Sequence, residues 1–477
     1  MNFLGRERAL SLVLALYLLG AIVYSIVTPI FEAGDEIWHY PFIQYLATTG
    51  RLPVQDPLHK GLWEQEGGQP PLYYAVGALA TFWIDTHDLT DRLWLNPHAQ
   101  LGVPLAFGNK NMIVHTAAEN FPWQGATLAV HLIRFISILF GAGTVLFTYL
   151  TAVEVLAQIT PGPAGNQSSR RDAWPAGTPE SRYVNLPLLA AALVAFNPMF
   201  IFIMASVNND SLATALASLS LWLIVRLVSR GATTKRYLAL GITLGLGALT
   251  KESVLGLAAI FAVVFLYLLW KNRKGGEILR AAVTPLLVIG IALWWYIRNW
   301  QLYGDPTGLN VWLAIAGPRT QVPGLPELAG EFQGFRISFW GNFGGVNIIA
   351  PDWVYLVLDA LTLIALIGLV AGVARKRLPP RLVIPALWVA VEFVLLIRWT
   401  LTTFASQGRL MFPALSAIGI LLAFGLGEMT RLVIRSTRYP FAQLPAYSLV
   451  LVLFLFSAVT PFALIAPNYR LPPRVDE

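Results

Sequence analysis

Long apolar runs separated by short polar breaks dominate the chain. Runs able to cross roughly 30 Å of hydrocarbon lie near 10–30, 128–156, 184–206, 209–229, 237–250, 253–270, 281–298, 353–374, 382–400, 410–430 and 444–466. The pattern predicts an all-α polytopic membrane protein of about eleven transmembrane helices. The 237–250 and 253–270 runs are parted only by Thr250-Lys251-Glu252, a tight turn or a charged break at the membrane surface. A shorter stretch, 70–84, reads as an interfacial or re-entrant helix; were it to span, the amino terminus would move to the other side. The first run follows Arg6 and Arg8 and lacks a small-x-small cleavage site, so it reads as a retained signal-anchor.

Composition sharpens this picture. Hydrophobic residues make up 56% of the 477 and charged residues 12%, about half the charge of a soluble domain; mean hydropathy is +0.61. The net charge of +7 does not point to nucleic acid, because Lys and Arg sit in short clusters between apolar runs rather than on a folded basic face. Cysteine is absent, which excludes a disulfide framework and a thiolate metal site.

The basic clusters, at Arg170/Arg171/Arg182, Arg226/Arg230/Lys235/Arg236, Lys271/Arg273/Lys274/Arg280, Arg375/Lys376/Arg377/Arg381 and Arg431/Arg435/Arg438, hold more than half of the Lys and Arg residues. By the positive-inside rule they are cytoplasmic. With Arg6 and Arg8 also inside, the chain divides into a first transmembrane helix (1–30), an external loop with juxtamembrane or re-entrant helices (31–127), transmembrane helices 2–7 (128–298), a second external loop (299–352), transmembrane helices 8–11 (353–466) and an external tail (467–477). Both loops are rich in Trp, Tyr, Pro and Gly, and neither matches an independent domain of the usual ~100–150 residues. Residues 160–182 read as a low-complexity cytoplasmic linker. The lack of an internal repeat weighs against an inverted-repeat transporter.

Candidate chemistry gathers on the external side. In FEAGDEIWHYPFIQYLATTG (31–50), Asp35 suits the N-cap of a surface helix, Pro41 is a mild irregularity and Gly50 suits the stop. Asp35 and Glu36 then sit at a helix N-terminus, which favours ionised carboxylates, with His39 one turn on. Asp35 would be available as a base or ligand; the plainer reading is that the pair only caps the helix. GGQPPLYYAV (67–76) is a rigid approach to an aromatic helix, and Tyr73 and Tyr74 alone would serve as interface anchors. Polar residues mark other span ends: Asn208-Asn209-Asp210, Lys251-Glu252, Arg298-Asn299-Trp300 before Leu302-Tyr303-Gly304-Asp305-Pro306, and Gln407-Gly408-Arg409 before Phe412-Pro413. Cations on this side run against the positive-inside trend and call for a partner; an ion pair of Lys251 with Glu252 or Asp210 is the structural alternative. All six histidines fall between 39 and 131 but match no metal-binding spacing. No metal ligands are assigned and a divalent cation is left open. His131, near Arg134, reads as a hydrogen-bonder within the bundle.

Taken in order, the acidic pair after the first span, Pro-Pro-Leu-Tyr-Tyr, Leu-Thr-Lys, Arg-Asn-Trp-x-Leu-Tyr-Gly-Asp-Pro and Gln-Gly-Arg-x-x-Phe-Pro resemble one superfamily. They look like the GT-C integral membrane glycosyltransferases, specifically relatives of the protein O-mannosyltransferases (family 39) and the lipid A aminoarabinose transferase, over roughly residues 9 to 430. The resemblance implies an inverting transfer of sugar from a polyprenyl-phosphate donor to an acceptor hydroxyl at the external face of a cell membrane. In that reading Asp35 is the general base, supported by Glu36. His39, Gln69, Tyr73, Lys251, Arg298 and Arg409 bind substrate, the three cations facing the departing phosphate. Trp294, Trp295 and Trp300 would line a groove for the lipid tail. Relatives often carry Glu-Lys or His before the Pro-Pro, whereas this chain has Gly68-Gln69, so the cation of that loop is missing. The phosphate leaves already charged, and a nucleotide-type metal site is not obligatory. The acceptor is an open choice among protein, lipid and glycan, membrane lipids are the other expected partner, and nucleic acid is not one. A lipid or sugar transporter or flippase, or a non-catalytic membrane scaffold, is the alternative.

Overall fold

The computed structural model describes residues 3–103, 108, 110–156, 184–272, 276–436 and 444–469; the 160–182 linker and nearly all of the 467–477 tail lie outside them. The described chain is almost wholly helical. Helix α1 (Phe3–Val27) leads into α2 (Glu36–Thr49), which has Asp35 at its N-cap position and ends on Gly50 in the left-handed conformation, as the sequence predicts. A 3₁₀ turn (Glu64–Gly68) and Pro70-Pro71 bring in α3 (Leu72–Thr81), followed by the single turn α4 (Leu89–Arg92). The 32-residue α5 (Gly125–Leu156) opens the bundle proper. Then come α6 (Leu186–Ala195), α7 (Pro198–Met204), α8 (Asp210–Ser229), α9 (Thr234–Ala248), α10 (Gly256–Asn272) and α11 (Gly276–Tyr303). Short helices α12 (Leu309–Ala316) and α13 (Leu325–Trp340) and a small antiparallel hairpin, β1 (Asn342–Phe343) with β2 (Ile348–Ile349), fill the second loop. Helices α14 (Asp352–Ala374), α15 (Val383–Thr402), α16 (Leu415–Ser436) and α17 (Leu444–Thr460) complete it.

Among the described residues nine helices are long and apolar enough to cross a membrane, or ten if α6 and α7 are one bent span. The expected eleventh, 237–250, is the 15-residue α9. At 1.5 Å per residue it reaches only roughly 22 Å, but it starts beside the Arg230 carbonyl at the far end of α8 and exits at Lys251 beside Asp210, so it crosses the bundle as a short span. It lies along α11, where Gly241 and Gly245 would place an added Cβ 3.0 Å from Leu287 and Ile291. The expected single span 184–206 is broken by 61°. Pro198 removes a backbone donor and disfavours helical geometry at Asn197. Asn197 makes good the loss by accepting from the Phe200 amide (3.0 Å) and donating to the Phe339 carbonyl (3.2 Å). The break is buried in protein, the setting in which irregular backbone is tolerated at membrane depth.

The 70–84 stretch forms a 10-residue apolar helix within the outer loop. That loop is not a separate domain. Phe31, Tyr40, Phe42, Tyr73 and Tyr74 share one core with Ala129, Val130 and Val207 at the ends of the bundle helices, and Phe42 stacks on Tyr74 with ring centroids 3.8 Å apart. At the opposite end, Glu154 ties α5 to α8 through Arg226 and Arg230 and its carbonyl accepts from Arg381. Glu428 similarly pairs with Arg377 and Arg431. Members of three basic clusters are therefore paired within the bundle end they define.

Candidate functional site

Three carboxylates in the turn between α1 and α2 are sent in three directions. Glu32 accepts from the Met112 (2.7 Å) and Ile113 (3.1 Å) amides and pairs with His115 (3.0 Å), fixing the far part of the outer loop. Glu36 turns into the bundle, accepts from the Phe31 (2.9 Å) and Val207 (2.7 Å) amides and pairs with Arg134, both side chains fully buried. Asp35 faces the other way and pairs with Arg409 at 2.6 Å. Neighbouring helix positions point about 100° apart, which is why the acidic pair cannot act on one atom. Gly34 makes the turn possible twice over: its φ is +59°, and a Cβ there would lie 3.1 Å from the Arg409 guanidinium.

Around Asp35 the fold gathers charges from distant segments. Arg409 comes from the 3₁₀ turn Gly408–Ala414, with Nε donating to Gln407 Oε1 at 2.6 Å. Lys251, in extended backbone after α9, pairs with Asp210 at the start of α8, the ion pair weighed from the sequence. His39 Nδ1 lies 2.8 Å from the Tyr74 hydroxyl and 3.8 Å from Glu66 Oε2. Gln69 accepts from Asn209 (3.2 Å), and Leu72 donates its amide to the Leu249 carbonyl (2.8 Å), docking the Pro-Pro segment on the α9 exit. The Asp35 side chain is 31% exposed and that of Arg409 7%. Asp35 is thus the reachable member of the pair.

These neighbours drive the titrating groups apart. Burial pushes the Asp35 carboxyl up, but the charges of Arg409 and Lys251, joined by His39 only at the acid pH where it is protonated, outweigh it and hold it below the usual carboxylate range. Burial, Asp35 and Asp210 push Glu66 up to about 8 against the pull of Lys251 and Arg409. Burial takes His39 down to about 4. Near neutral pH the site therefore holds an ionised Asp35 beside a protonated Glu66 and an uncharged His39. Two carboxyl groups separated in this way are the usual mark of divided acid and base roles.

Other sequence candidates lie elsewhere. Arg298 donates to the Pro53 carbonyl (2.7 Å) and sits over the Trp295 ring at 4.9 Å, bracing the outer loop against α11. The Tyr73 hydroxyl contacts Ser137 (2.8 Å) and accepts from the Asn208 amide (2.9 Å), with the side chain buried. Trp294 and Trp300 are exposed on α11, but Trp295 is fully buried. His131 is not the hydrogen-bonder expected: its ring stacks on Trp123 at 3.6 Å and its Nδ1 has no partner. Among the described residues no group of three or more His, Asp and Glu could hold a metal ion. Sequence reasoning missed Glu66, whose only signal was an acid in WEQEGGQPP, three residues before Gln69.

Comparison with known structures places the architecture. The chain is similar to ArnT from Cupriavidus metallidurans in the apo state, with TM-score 0.51 and 12% identity, covering 95% of this chain and 78% of that one. The same protein bound to undecaprenyl phosphate gives TM-score 0.50 and 12% identity, with 97% and 78% covered. An oligosaccharyltransferase from Archaeoglobus fulgidus gives TM-score 0.43 and 14% identity, with 94% and 53% covered. The likeness to ArnT shows a shared GT-C-like, all-α polytopic fold. No curated protein matches the sequence. A family model described as a predicted membrane protein (DUF2142) matches residues 178–418, half of the chain, and the chain belongs to that family.

Proposed function

We propose that this multi-pass membrane protein transfers a sugar from a polyprenyl-phosphate donor to an acceptor hydroxyl at the external face, with inversion. The observation that carries the reading is the partly exposed Asp35 carboxylate, held ionised by the buried Arg409. The acceptor oxygen attacks the anomeric carbon while its proton passes to Asp35. The bond from that carbon to the phosphate oxygen breaks, and the phosphate keeps the electron pair. A carboxylate held below its usual range is a weak base, suited to taking the proton late, when the bond to phosphate is largely broken. Arg409 and Lys251 face the charge that develops on the leaving group. His39 and Gln69 order the approach from the Pro-Pro segment. Glu36 and Tyr73 serve by fixing the turn and helix that carry Asp35 and His39, and Arg298 contributes by holding the outer loop against α11. The exposed Trp294 and Trp300 offer a surface for the lipid tail. This reading sets 31–127 and 299–352 on the external side and the basic clusters on the cytoplasmic side.

The test is Asp35→Asn in purified protein supplied with polyprenyl-phosphate sugars. Loss of a general base costs roughly 10²–10⁴ in rate, so transfer should fall by that much while the fold and donor binding persist. Glu36→Gln should instead lower stability, because breaking a buried ion pair costs about 3–5 kcal/mol. Transfer that survives Asp35→Asn would leave Asp35 as a structural partner of Arg409 only, and absence of transfer by the wild type with any such donor would favour a transporter or scaffold.

A further inference from the structure

The charge cluster around Asp35 holds one carboxyl more than it has cations. Arg409 pairs with Asp35 at 2.6 Å, and Lys251 pairs with Asp210. Glu66 is left over. Its one ion-pair contact is His39 Nδ1 at 3.8 Å, beyond hydrogen-bond reach, and that nitrogen is already engaged by the Tyr74 hydroxyl at 2.8 Å. The Glu66 side chain is 8% exposed and its carboxyl accepts no hydrogen bond from the described residues. Neither of its oxygens is sealed from solvent, so a ligand in the cluster can touch them.

A carboxyl so placed keeps its proton, because burial without a cation of its own disfavours the charged form. Asp35 and Asp210 press the same way, Lys251 and Arg409 press against it, and the balance leaves Glu66 at about 8. The other groups facing it titrate well away from that value: burial takes His39 down to about 4 and holds the Tyr74 phenol well above its usual range. On the same 3₁₀ turn Lys60 pairs with Glu64, and α12, which packs on the turn, carries no ionisable side chain. With Glu66 protonated, the two ion pairs leave the cluster uncharged. With Glu66 ionised, the cluster carries one surplus negative charge.

An anion entering this site finds both cations already partnered, so the leftover carboxyl decides its reception. A carboxylic acid donates one O–H, and a hydrogen bond to an ionised acceptor is among the strong ones; a carboxylate in the same place only repels. From this reachable, unpaired carboxyl beside two closed ion pairs, we propose that Glu66 is a further donor-binding residue, which hydrogen-bonds a phosphate oxygen while protonated and excludes the phosphate once ionised. The inference rests on the transfer reading for the identity of the anion. It also fills the gap before Pro70-Pro71: Gly68-Gln69 brings no cation there, and Glu66, three residues ahead of Gln69, brings a proton instead.

Saturation-transfer difference NMR on the full chain in an uncharged maltoside detergent, free of competing lipid phosphate, tests this. The probe is prenyl methyl phosphate, a water-soluble diester that keeps one negative charge from about pH 6 to about pH 9.5, the range that brackets Glu66. Wild-type affinity should be level near the acid end and fall by roughly tenfold or more at the alkaline end, as when only the protonated form binds. Glu66→Gln still donates but cannot ionise, and its affinity should be the same at both ends. Glu66→Ala should bind roughly tenfold more weakly than the wild type at about pH 6. Asp35→Asn removes the strongest negative charge pressing on Glu66, so the fall should move to lower pH. Prenyl alcohol, the uncharged arm, should show no dependence on pH. The proposal is overturned if wild-type binding of the diester is level with pH, if the fall persists in Glu66→Gln (as it would were Lys251 its source), or if Glu66→Ala binds like the wild type at about pH 6. Binding that is level with pH would remove the role of Glu66 and leave the transfer reading standing. No binding at any pH would sink both, and the expected profile without transfer from any polyprenyl-phosphate sugar would sink the transfer reading alone.

Discussion

Removing Arg409 tests what keeps Asp35 ionised. The guanidinium approaches the carboxylate to 2.6 Å, which puts the two charge centres at about 4 Å, where an effective dielectric of ~20 gives about 4 kcal/mol. Water reaching the partly exposed Asp35 screens this to about 2 kcal/mol. Burial then acts with less opposition, Lys251 remaining as the nearest fixed positive charge. Arg409→Ala should therefore raise the proton affinity of Asp35 roughly 30-fold, at 1.36 kcal/mol per decade, and Arg409→Lys should have a smaller effect. The sign follows from the direction of the shift: a carboxyl held low is ionised down to acid pH, and losing its partner moves the transition upward. Infrared difference spectra between each variant and its Asp35→Asn counterpart isolate the protonated carboxyl band, whose disappearance is followed against pH. In transfer assays the acid limb of the rate profile should move upward with it. A carboxyl transition at the same pH in wild type and Arg409→Ala would refute the claim that this pair sets the charge on Asp35.

Three further outcomes follow from other parts of the molecule. His115 is lowered by burial but raised overall to about 9 by Glu119 and Glu32; its contribution, on the order of 3 kcal/mol, is full below about pH 6.5 and lost as pH rises towards 9. Protection of the Met112 and Ile113 amides, measured relative to their intrinsic exchange rates, should fall across that window in the wild type and stay flat in His115→Asn. Single cysteines at Thr234 and Gln333, in a chain that has none of its own, should label from opposite faces with an impermeant reagent, and labelling from one face would overturn the sidedness. A Cβ at Gly368 would overlap the Gly425 carbonyl oxygen, so Gly368→Leu should force α14 from α16 and lower the melting temperature, whereas Gly290→Ala, in open space, should not.

Local signals carried the elements that local chemistry decides. The stop of α2 was legible in Gly50 because a left-handed glycine needs only neighbouring backbone; its start was legible in Asp35 by position, although that side chain makes no cap bond and turns to Arg409 instead. The span count was less so. Hydropathy alone does not show that the 237–250 run folds as a helix of only 15 residues, and it passes over the break that Pro198 makes in a continuous apolar run. The same divide appears in the site. Asp35 and Glu36 are adjacent letters, yet one meets Arg409 and the other Arg134, a separation that only helix geometry reveals. Arg298 and Arg409 look alike as cations at span ends; the tertiary path closes one on the Pro53 carbonyl and turns the other to Asp35. Glu66 escaped because it arrives through a 3₁₀ turn in a loop without periodicity.

Arg134 donates to the Ser25 and Thr28 carbonyls (both 2.7 Å) and to the Pro29 carbonyl (2.9 Å) as well as to Glu36, and this bears on the order in which the protein is made. An unpaired arginine in the middle of a membrane helix is costly to insert. Its main partners, the α1 exit and the start of α2, precede it in the chain and emerge from the ribosome first. The guanidinium can be neutralised as α5 enters the bilayer, with the Val207 amide completing Glu36 when α8 is about to follow. Transposing the α1–α2 turn to a later point in the gene would keep every contact of the finished fold yet leave Arg134 to cross alone, and the expected casualty is insertion rather than stability.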